Sequence, residues 1–426
     1  MNRDFIPHWK QLGIVQAVTL EAELREHLRS GRRTIYAGFD PTADSLHIGH
    51  LLPLLGLRRA QMAGHRPIVL VGGATGLIGD PSGKAGERSL NDAETVAAWA
   101  AKLRAQASRF VDFSAGDDSA LLLDNYEWTK KLGVISFLRD YGKHFTVSAM
   151  TSKESVKSRL DRDGAGISYT EFSYMILQAY DFNWLYENYG CTVQIGGSDQ
   201  WGNITAGIDL IGRLHGTVQA YGVTLPLVMN ADGTKFGKTE SGAVWLDPAK
   251  TSPYEMYQFF VNAADADAGR YLRYFTFLPA EDIADLERAL AEKPEERAAQ
   301  RALASEMTRL VHGDDGLREA ERTTEALFGN EVASLTEQEL ERAFLGAPKI
   351  ALARSLPSVP VLDLLVRAKL AKSRARAQEL VRGGGVHVNG QRVSDVRAEC
   401  RRTDALFSRY LVVRKGKKTF HLARWE

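Results

Sequence analysis

The chain has 426 residues, 44% of them hydrophobic and 25% charged, which suits roughly two to four globular domains and excludes a disordered polymer. No segment offers about 18 uninterrupted apolar residues and residues 1–11 lack the apolar run of an export signal, so a cytoplasmic protein without a membrane span is expected. The only cysteines, Cys191 and Cys400, are too few for a disulfide framework or a Cys-x-x-Cys zinc site, and no structural metal is expected.

In chain order, the first half alternates β-branched or aromatic runs with helical patterns: a strand at Thr34–Phe39, a helix over 46–62, and strands over 68–71, 120–125, 191–195 and 223–228. None of these strands leads into a two-residue hairpin turn, so crossover connections and a parallel α/β sheet are predicted.

Residues 36–50, Tyr-Ala-Gly-Phe-Asp-Pro-Thr-Ala-Asp-Ser-Leu-His-Ile-Gly-His, combine a strand end, a polar turn and a helix start near Leu46. Such a turn at the sheet's carboxyl edge is where ligands bind. His47 and His50, three apart, share a helix face near its N-terminus, where unpaired backbone N–H groups favour phosphate oxygens. Gly49 removes a side chain between them and lets a flat base approach. An isolated pair of this kind also occurs as satisfied surface or core histidines.

Two glycine patterns follow that do not carry the chemistry they suggest. Gly73-Ala-Thr-Gly-Leu-Ile-Gly79 has the spacing G-x-x-G-x-x-G rather than the dinucleotide-binding G-x-G-x-x-G, and Gly83-Lys84 precedes Ala85 where a P-loop needs Ser or Thr. Farther on, Tyr174, Gln178 and Asp181 recur at i, i+4 and i+7 along an apolar helix over 170–182. A polar stripe among Phe172, Met175, Ile176 and Leu177 marks either an internal hydrogen-bond network or a polar ligand.

The next loop, Asp232-Gly-Thr-Lys-Phe-Gly-Lys-Thr-Glu-Ser-Gly242, carries Lys235 and Lys238 three apart between glycines. Paired ammonium groups there suit a phosphate clamp acting as charge builds on a departing pyrophosphate, although an exposed basic turn has the same look. From Pro253 to Phe344 the pattern is helical, with helices over 281–292 and 296–310. Pro348, Pro357 and Pro360 then suggest a linker over 346–360, followed by a helical stretch over 361–382 and strands at Val386–Val388 and 410–413. Residues 357–426 hold 16 Lys and Arg against 6 Asp and Glu, a net +10, while the preceding residues hold 38 against 47, a net −9. A terminal module this basic points to a polyanion partner.

His-Ile-Gly-His and the later Lys-Phe-Gly-Lys-Thr, in that order, resemble the two hallmark motifs of class I aminoacyl-tRNA synthetases, and the helix over 170–182 resembles the amino-acid-binding helix of the bacterial tyrosyl branch. The class-wide lysine motif is Lys-Met-Ser-Lys-Ser, and the form here keeps both lysines. The resemblance implies a Rossmann-like doubly wound catalytic domain over 1–245, an α-helical anticodon-side domain over 246–345 and, beyond the linker, a small α+β S4-like RNA-binding domain over 361–426.

For the site, the resemblance implies that His47, His50, Lys235, Lys238 and Thr239 serve catalysis, and that Gly38, Asp40, Thr42, Gly49, Gly197 and Asp199 join His47, His50 and Lys238 around ATP. It implies that Asp80, Tyr174 and Gln178 hold the ammonium group of tyrosine, that Tyr36 and Asp181 bond its phenolic hydroxyl, and that Gln200 belongs to the same pocket. Phenylalanine would leave Tyr36 and Asp181 desolvated and unpaired, which accounts for selectivity. Lys84 and Arg88 resemble a pyrophosphate loop, with an ordinary solvated basic loop as the competing reading. Lys369, Lys372, Arg374 and Arg376 are candidates for tRNA phosphates. The insertion over 125–162 resembles a dimerisation segment, with Trp128, Phe137, Leu138 and Phe145 suited either to a homodimer interface or to local core. Magnesium is expected to arrive with ATP, and no protein nucleophile is implied. The nearest rival activity is that of the tryptophanyl sibling, against which stand Tyr36, Asp181 and the S4-like tail. A noncatalytic RNA-binding protein on the same scaffold is the other alternative, disfavoured because both histidines and both lysines survive.

Overall fold

Val, Ile and Leu runs between polar turns form a six-stranded sheet, made of β1 (Ala17–Val18), β2 (Thr34–Phe39), β3 (Arg66–Val71), β4 (Leu121–Asp124), β5 (Cys191–Gly197) and β6 (Tyr221–Leu225). The order is β1-β6-β5-β2-β3-β4, parallel throughout except where the two-residue β1 pairs antiparallel with β6. Residues of β3 and β6 are buried on both faces, which is why they read as continuous apolar runs rather than alternations. The computed structural model describes residues 3–82, 91–114, 116–160, 166–216, 219–239, 242–347, 349–416 and 419–426. It divides into two compact units, Met1–Gly237 with Gly269–Ile283, and Lys238–Ala268 with Ala284–Glu426.

The direction of winding reverses between β2 and β5, so the crevice at the carboxyl ends of these two strands is the ligand position expected of an open parallel sheet. One wall is the helix Tyr169–Tyr189, begun by the Ser168 hydroxyl accepting from the Glu171 amide and ended by Gly190 at φ 58°. It packs on the helix Trp201–His215, where a Cβ at Gly207 would lie 2.9 Å from a Phe182 ring carbon. That close approach fixes which face of the first helix meets the crevice.

The helix expected over 46–62 starts later and in two steps. His47 is extended (φ −119°, ψ 168°), Ile48–His50 is a 3-10 turn, and the α-helix runs Leu51–Met62. The imidazole of His47 accepts the Gly49 amide proton and so replaces the first helical turn, a local alternative that hydrophobic periodicity does not reveal.

In the second unit, Pro253–Val261 opens with a capping box between Ser252 and Glu255 and packs along Ala298–Phe328, whose helical path breaks at Gly313 (φ 77°). The linker expected over 346–360 is not a free connection. Lys349–Leu352 pairs in parallel with Thr419–Trp425, and Ser358–Pro360 pairs with Glu399–Arg401. The stretch over 361–382 likewise divides into Val361–Arg367 and Arg374–Arg382, because Lys369 adopts φ 55° and Ser373 caps the second helix. These helices cover one face of the terminal sheet through Leu364, Leu365, Ala377 and Val381 against Leu411, Val413 and Trp425. Its other face packs Tyr410, Val412 and Leu422 on Leu327, Leu340 and Phe344. Among the described residues no helix is long and apolar enough to cross a membrane.

Candidate active site

Asp181 and Tyr36 lie within one buried cluster, and the geometry around each explains the polar stripe on the helix. Burial raises the Asp181 carboxyl to about 7, against the opposing pull of two donors, Asn125 Nδ2 at 2.8 Å and Trp128 Nε1 at 2.7 Å. Asp40 and Asp124 add negative charge that raises it further. The phenol of Tyr36, 1% exposed, has no hydrogen-bond partner among the described residues, and burial followed by the charge of Asp181 pushes its ionisation well up. A buried hydroxyl without a partner among the described residues, beside a carboxyl raised by burial, forms a receptor for another hydroxyl.

Asn125 extends the network toward the sheet edge. Its side-chain oxygen accepts from the Ala74 amide at 2.7 Å, and its Nδ2 also donates to Thr75 Oγ1 at 3.0 Å. Thr75 donates to Asp40 Oδ1 at 2.7 Å, and the hydroxyl of Tyr174 donates to Asp40 Oδ2 at 2.7 Å. Gly73, the first of the glycines without a dinucleotide spacing, and Gly72 just before it acquire their reason here, because a Cβ at Gly72 would lie 2.0 Å from Asp40 Oδ1 and one at Gly73 would lie 2.3 Å from Asp124 Oδ1. Those glycines make room for carboxylates of the protein itself.

A second network holds the other expected tyrosine contacts. Asp80 accepts from the Ser82 amide at 2.8 Å and from Gln200 Nε2 at 2.7 Å. Gln178 donates to Gln200 Oε1 at 3.2 Å and accepts from Asn203 Nδ2 at 3.0 Å. Asp80 is 7% exposed, so its charge and spare lone pairs are largely withdrawn from water and available to a cation.

At the other end of the cleft the rings of His47 and His50 stack with centroids 4.0 Å apart. The Nδ1 of His50 accepts from the His47 amide at 3.2 Å and the Nδ1 of His47 accepts from the Gly49 amide at 3.0 Å, which leaves each Nε2 as the protonated, donating nitrogen. Burial, then the charge of His47, lowers His50 to about 3, so it is neutral across the physiological range. Gly49 also has a reason within the protein itself: a Cβ there would lie 2.7 Å from Cε1 of His47.

The lysine loop reaches the same turn. A Cβ at Gly237, which has φ 80°, would lie 2.6 Å from Ile48 Cγ1. Phe236 anchors the loop by stacking on Phe275 at 5.1 Å, and Tyr271 donates to Asn230 Oδ1 at 2.8 Å. Lys235 remains exposed, and its charge opposes the rise that burial imposes on Asp199.

Tyr36, Gly38, Asp40, Thr42, His47, Gly49, His50, Asp80, Tyr174, Gln178, Asp181, Gly197, Asp199, Gln200 and Lys235 all line one cleft with a cavity of about 430 Å³. A Cβ at Gly38 would meet nothing within 4 Å, whereas one at Gly197 would lie 2.5 Å from Asp199 Oδ1. Lys238–Thr239 form a short strand with Gly242–Ala243, and their side chains, like the whole of Lys84 and Arg88, lie outside the described residues. In the basic module Lys369 and Lys372 are exposed, while Arg374 pairs with Asp363 at 2.9 Å and Arg376 with Glu379.

Sequence reasoning passed over Thr75, Asn125, Asn203 and Gln194, the last lining the cleft with a buried Oε1 that has no partner among the described residues. Asn125 alone had a visible signal, being a polar residue at the carboxyl end of a predicted strand. Trp128, grouped by sequence with interface candidates, is instead 5% exposed, stacked on Trp184 at 4.0 Å and bonded to Asp181.

The family model described as tRNA synthetases class I (W and Y) matches residues 29–329, and one described as the tyrosine–tRNA ligase SYY-like C-terminal domain matches residues 339–423. The chain is 54% identical to a tyrosine–tRNA ligase of Geobacillus stearothermophilus over 99% of its own length and 100% of the relative's. It is 53% identical to one from Aliivibrio fischeri (strain MJ11), over 100% and 99% respectively. Among solved structures, a C-terminally truncated mitochondrial tyrosyl-tRNA synthetase of Aspergillus nidulans matches with TM-score 0.69 at 32% identity, covering 76% of this chain and 94% of that one.

Proposed function

Because the chain belongs to the class I tRNA synthetases for tryptophan and tyrosine, on the tyrosine–tRNA ligase branch, we propose that both steps of its reaction take place in the cleft lined by Asp181, Asp80, His47 and Lys235. Its substrates are tyrosine, ATP and tRNA. Tyrosine's carboxylate attacks the α-phosphate of ATP, pyrophosphate leaves, and the terminal ribose hydroxyl of tRNA(Tyr) then takes the acyl group and releases AMP.

Tyr36 and Asp181 receive the phenolic hydroxyl, and the unpartnered Tyr36 hydroxyl beside a doubly held Asp181 is the observation that carries this reading. The ammonium group goes to Asp80, Tyr174 and Gln178, supported by Gln200, since Tyr174 keeps free lone pairs while its proton goes to Asp40. Gly38, Asp40, Thr42, Gly49, Gly197 and Asp199 shape the ATP end. The Nε2 protons of His47 and His50 and the ammonium of Lys235 stabilise charge gathering on the phosphates, with Lys238 and Thr239 from the same loop and with Lys84 and Arg88. Magnesium enters on the ATP phosphates.

The catalytic domain over 1–245, the helical domain over 246–345 and a terminal RNA-binding module remain the proposed division, with that module beginning at the strand Lys349–Leu352 because this strand closes its sheet. Lys369 and Lys372 are its first candidates for tRNA phosphates, since Arg374 and Arg376 already hold carboxylates. In the segment over 125–160, Val134 (68% exposed), Ile135 (70%) and Val147 (66%), together with Leu138, present apolar surface suited to a second copy. The chain works as a cytoplasmic homodimer in this reading, and sedimentation at micromolar concentration tests the dimer.

The deciding experiment is ATP–pyrophosphate exchange with each standard amino acid. Exchange with tyrosine alone is expected; exchange driven by tryptophan, or by none, would end the proposal.

A further inference from the structure

Two carboxylates, Asp40 and Asp124, bring negative charge toward Asp181, and one surface cation keeps part of that charge in check. On its own helix it faces the phenols of Tyr174 and Tyr180, from β2 the phenol of Tyr36, from the turn after β2 Asp40, and from the end of β4 Asp124. Asp40 is bonded by the hydroxyls of Tyr174 and Thr75. Asp124, 12% exposed at its side chain, is bonded by Arg104, whose Nη2 donates to Oδ2 at 2.8 Å from the helix Ala93–Ala107. Among the described residues Arg104 is the cation paired with Asp124.

Asp124 also governs where the neighbouring donors stand. Its Oδ1 accepts the Tyr126 amide at 2.9 Å and so starts the short helix Tyr126–Thr129, and a Cβ at Gly73 would lie 2.3 Å from the same oxygen. The residue after Asp124 is Asn125, and Trp128 lies on that short helix; these are the two donors to Asp181. Holding Asp124 therefore holds both.

We propose that Arg104 is a positioning residue for tyrosine recognition: by clamping and neutralising Asp124 it fixes the strand end that carries the Asp181 donors and keeps Asp181 able to stay a carboxylate. This rests on the role given above to Asp181. Arg104 touches no substrate, and its guanidinium also senses Glu127, which has its own partner in Lys130 at 3.0 Å. The effect is modest because the Arg104 side chain is 42% exposed.

The test is tyrosine-dependent pyrophosphate exchange by the full-length protein across roughly pH 6 to 9, reading KM for tyrosine, KM for ATP and kcat. Arg104→Ala is expected to raise KM for tyrosine roughly threefold near neutral pH, with KM for ATP and kcat unchanged. The deficit should fade as pH rises, because an uncompensated Asp124 raises the pKa of Asp181 and higher pH restores the carboxylate. Arg104→Lys is expected to retain wild-type behaviour, and Arg104→Ala combined with Asp124→Asn to recover it, since the charge needing compensation is gone. Asp124→Asn alone removes a negative neighbour and should move the acid limb of the tyrosine profile downward, a readout that survives if Arg104→Ala fails to fold.

An unchanged KM for tyrosine in Arg104→Ala, an equal change for ATP, or a double variant no better than the single one overturns the proposal. Asp181→Asn separates the two levels. If it loses tyrosine while Arg104→Ala does not, only the role of Arg104 falls; if it binds tyrosine normally, the reading of Asp181 falls with it.

Discussion

At the end of the cleft that holds Asp181, side chains are positioned by other side chains, in a chain running from Trp128 and Asn125 through Thr75 to Asp40 and Tyr174. At the end that holds His47 and His50, backbone amides do the positioning: those of His47 and Gly49 orient the two rings, and Gly237 lets the lysine loop close on Ile48. In the proposed reading, the contrast follows from what each end would recognise. A phenolic hydroxyl is told from a hydrogen by the penalty of leaving buried partners unpaired, which requires a dry and fully specified network. Phosphate would be met as accumulating charge, for which a few aimed N–H donors and an exposed ammonium suffice.

The largest expected effect breaks the network at its centre. Asp181→Ala leaves the Trp128 indole N–H, and one of the two amide protons of Asn125, buried without the acceptor they had, and kcat/KM for tyrosine should fall roughly 100- to 1,000-fold in exchange assays. A loss expressed mainly in KM for ATP would erase the distinction between the ends. Next, Lys235→Ala removes an exposed group outside the network, so kcat should fall about 100-fold while KM for tyrosine stays within about twofold.

A smaller effect sharpens the comparison through pH. With Asp181 raised to about 7, kcat/KM for tyrosine should decline as pH falls through that value, because the carboxylate takes up a proton. Trp128→Phe deletes a donor that lowers this pKa, so the decline should begin at higher pH and KM for tyrosine should rise about tenfold near neutrality. His50, held near 3, should add no titration of its own in that range.

The difference between the ends also decided what the sequence disclosed. Thr34–Phe39 was legible to the residue because β-branched and aromatic residues gather there ahead of a polar turn, with Ile35, Tyr36, Ala37 and Phe39 buried. Tyr174, Gln178 and Asp181 were legible as a stripe because three polar residues on one apolar helix share a period. Their partners were not: Asn125 and Trp128 reach Asp181 across 56 and 53 positions of sequence, and no local pattern records such a contact. Motif matching found His47, Gly49 and His50, yet the periodicity around them predicted an ordinary helix, since side-chain capping by an imidazole leaves no signature in spacing. The supposed linker over 346–360 was misread for a related reason. Prolines mark where a helix cannot continue, but they do not reveal that Lys349–Leu352 finds a partner near the other end of the module, at Thr419–Trp425.

The smallest expected effect tests whether backbone really governs the nucleotide end. In Gly49→Ala the new methyl would start 2.7 Å from Cε1 and 2.9 Å from Nδ1 of His47, closer than van der Waals contact permits. The imidazole is the freer partner and should rotate away, giving up the Gly49 amide at 3.0 Å and the 4.0 Å stack on His50. One neutral hydrogen bond is worth about 1 kcal/mol, so kcat for exchange should fall roughly fivefold. Gly49 is exposed and outside the core, so the thermal midpoint should move little, and Asp181 is served by a separate network, so KM for tyrosine should hold. A variant with unchanged kcat would mean that the ring's pose over Gly49 contributes nothing to phosphate chemistry. A variant with a raised KM for tyrosine would mean that the two ends are mechanically one.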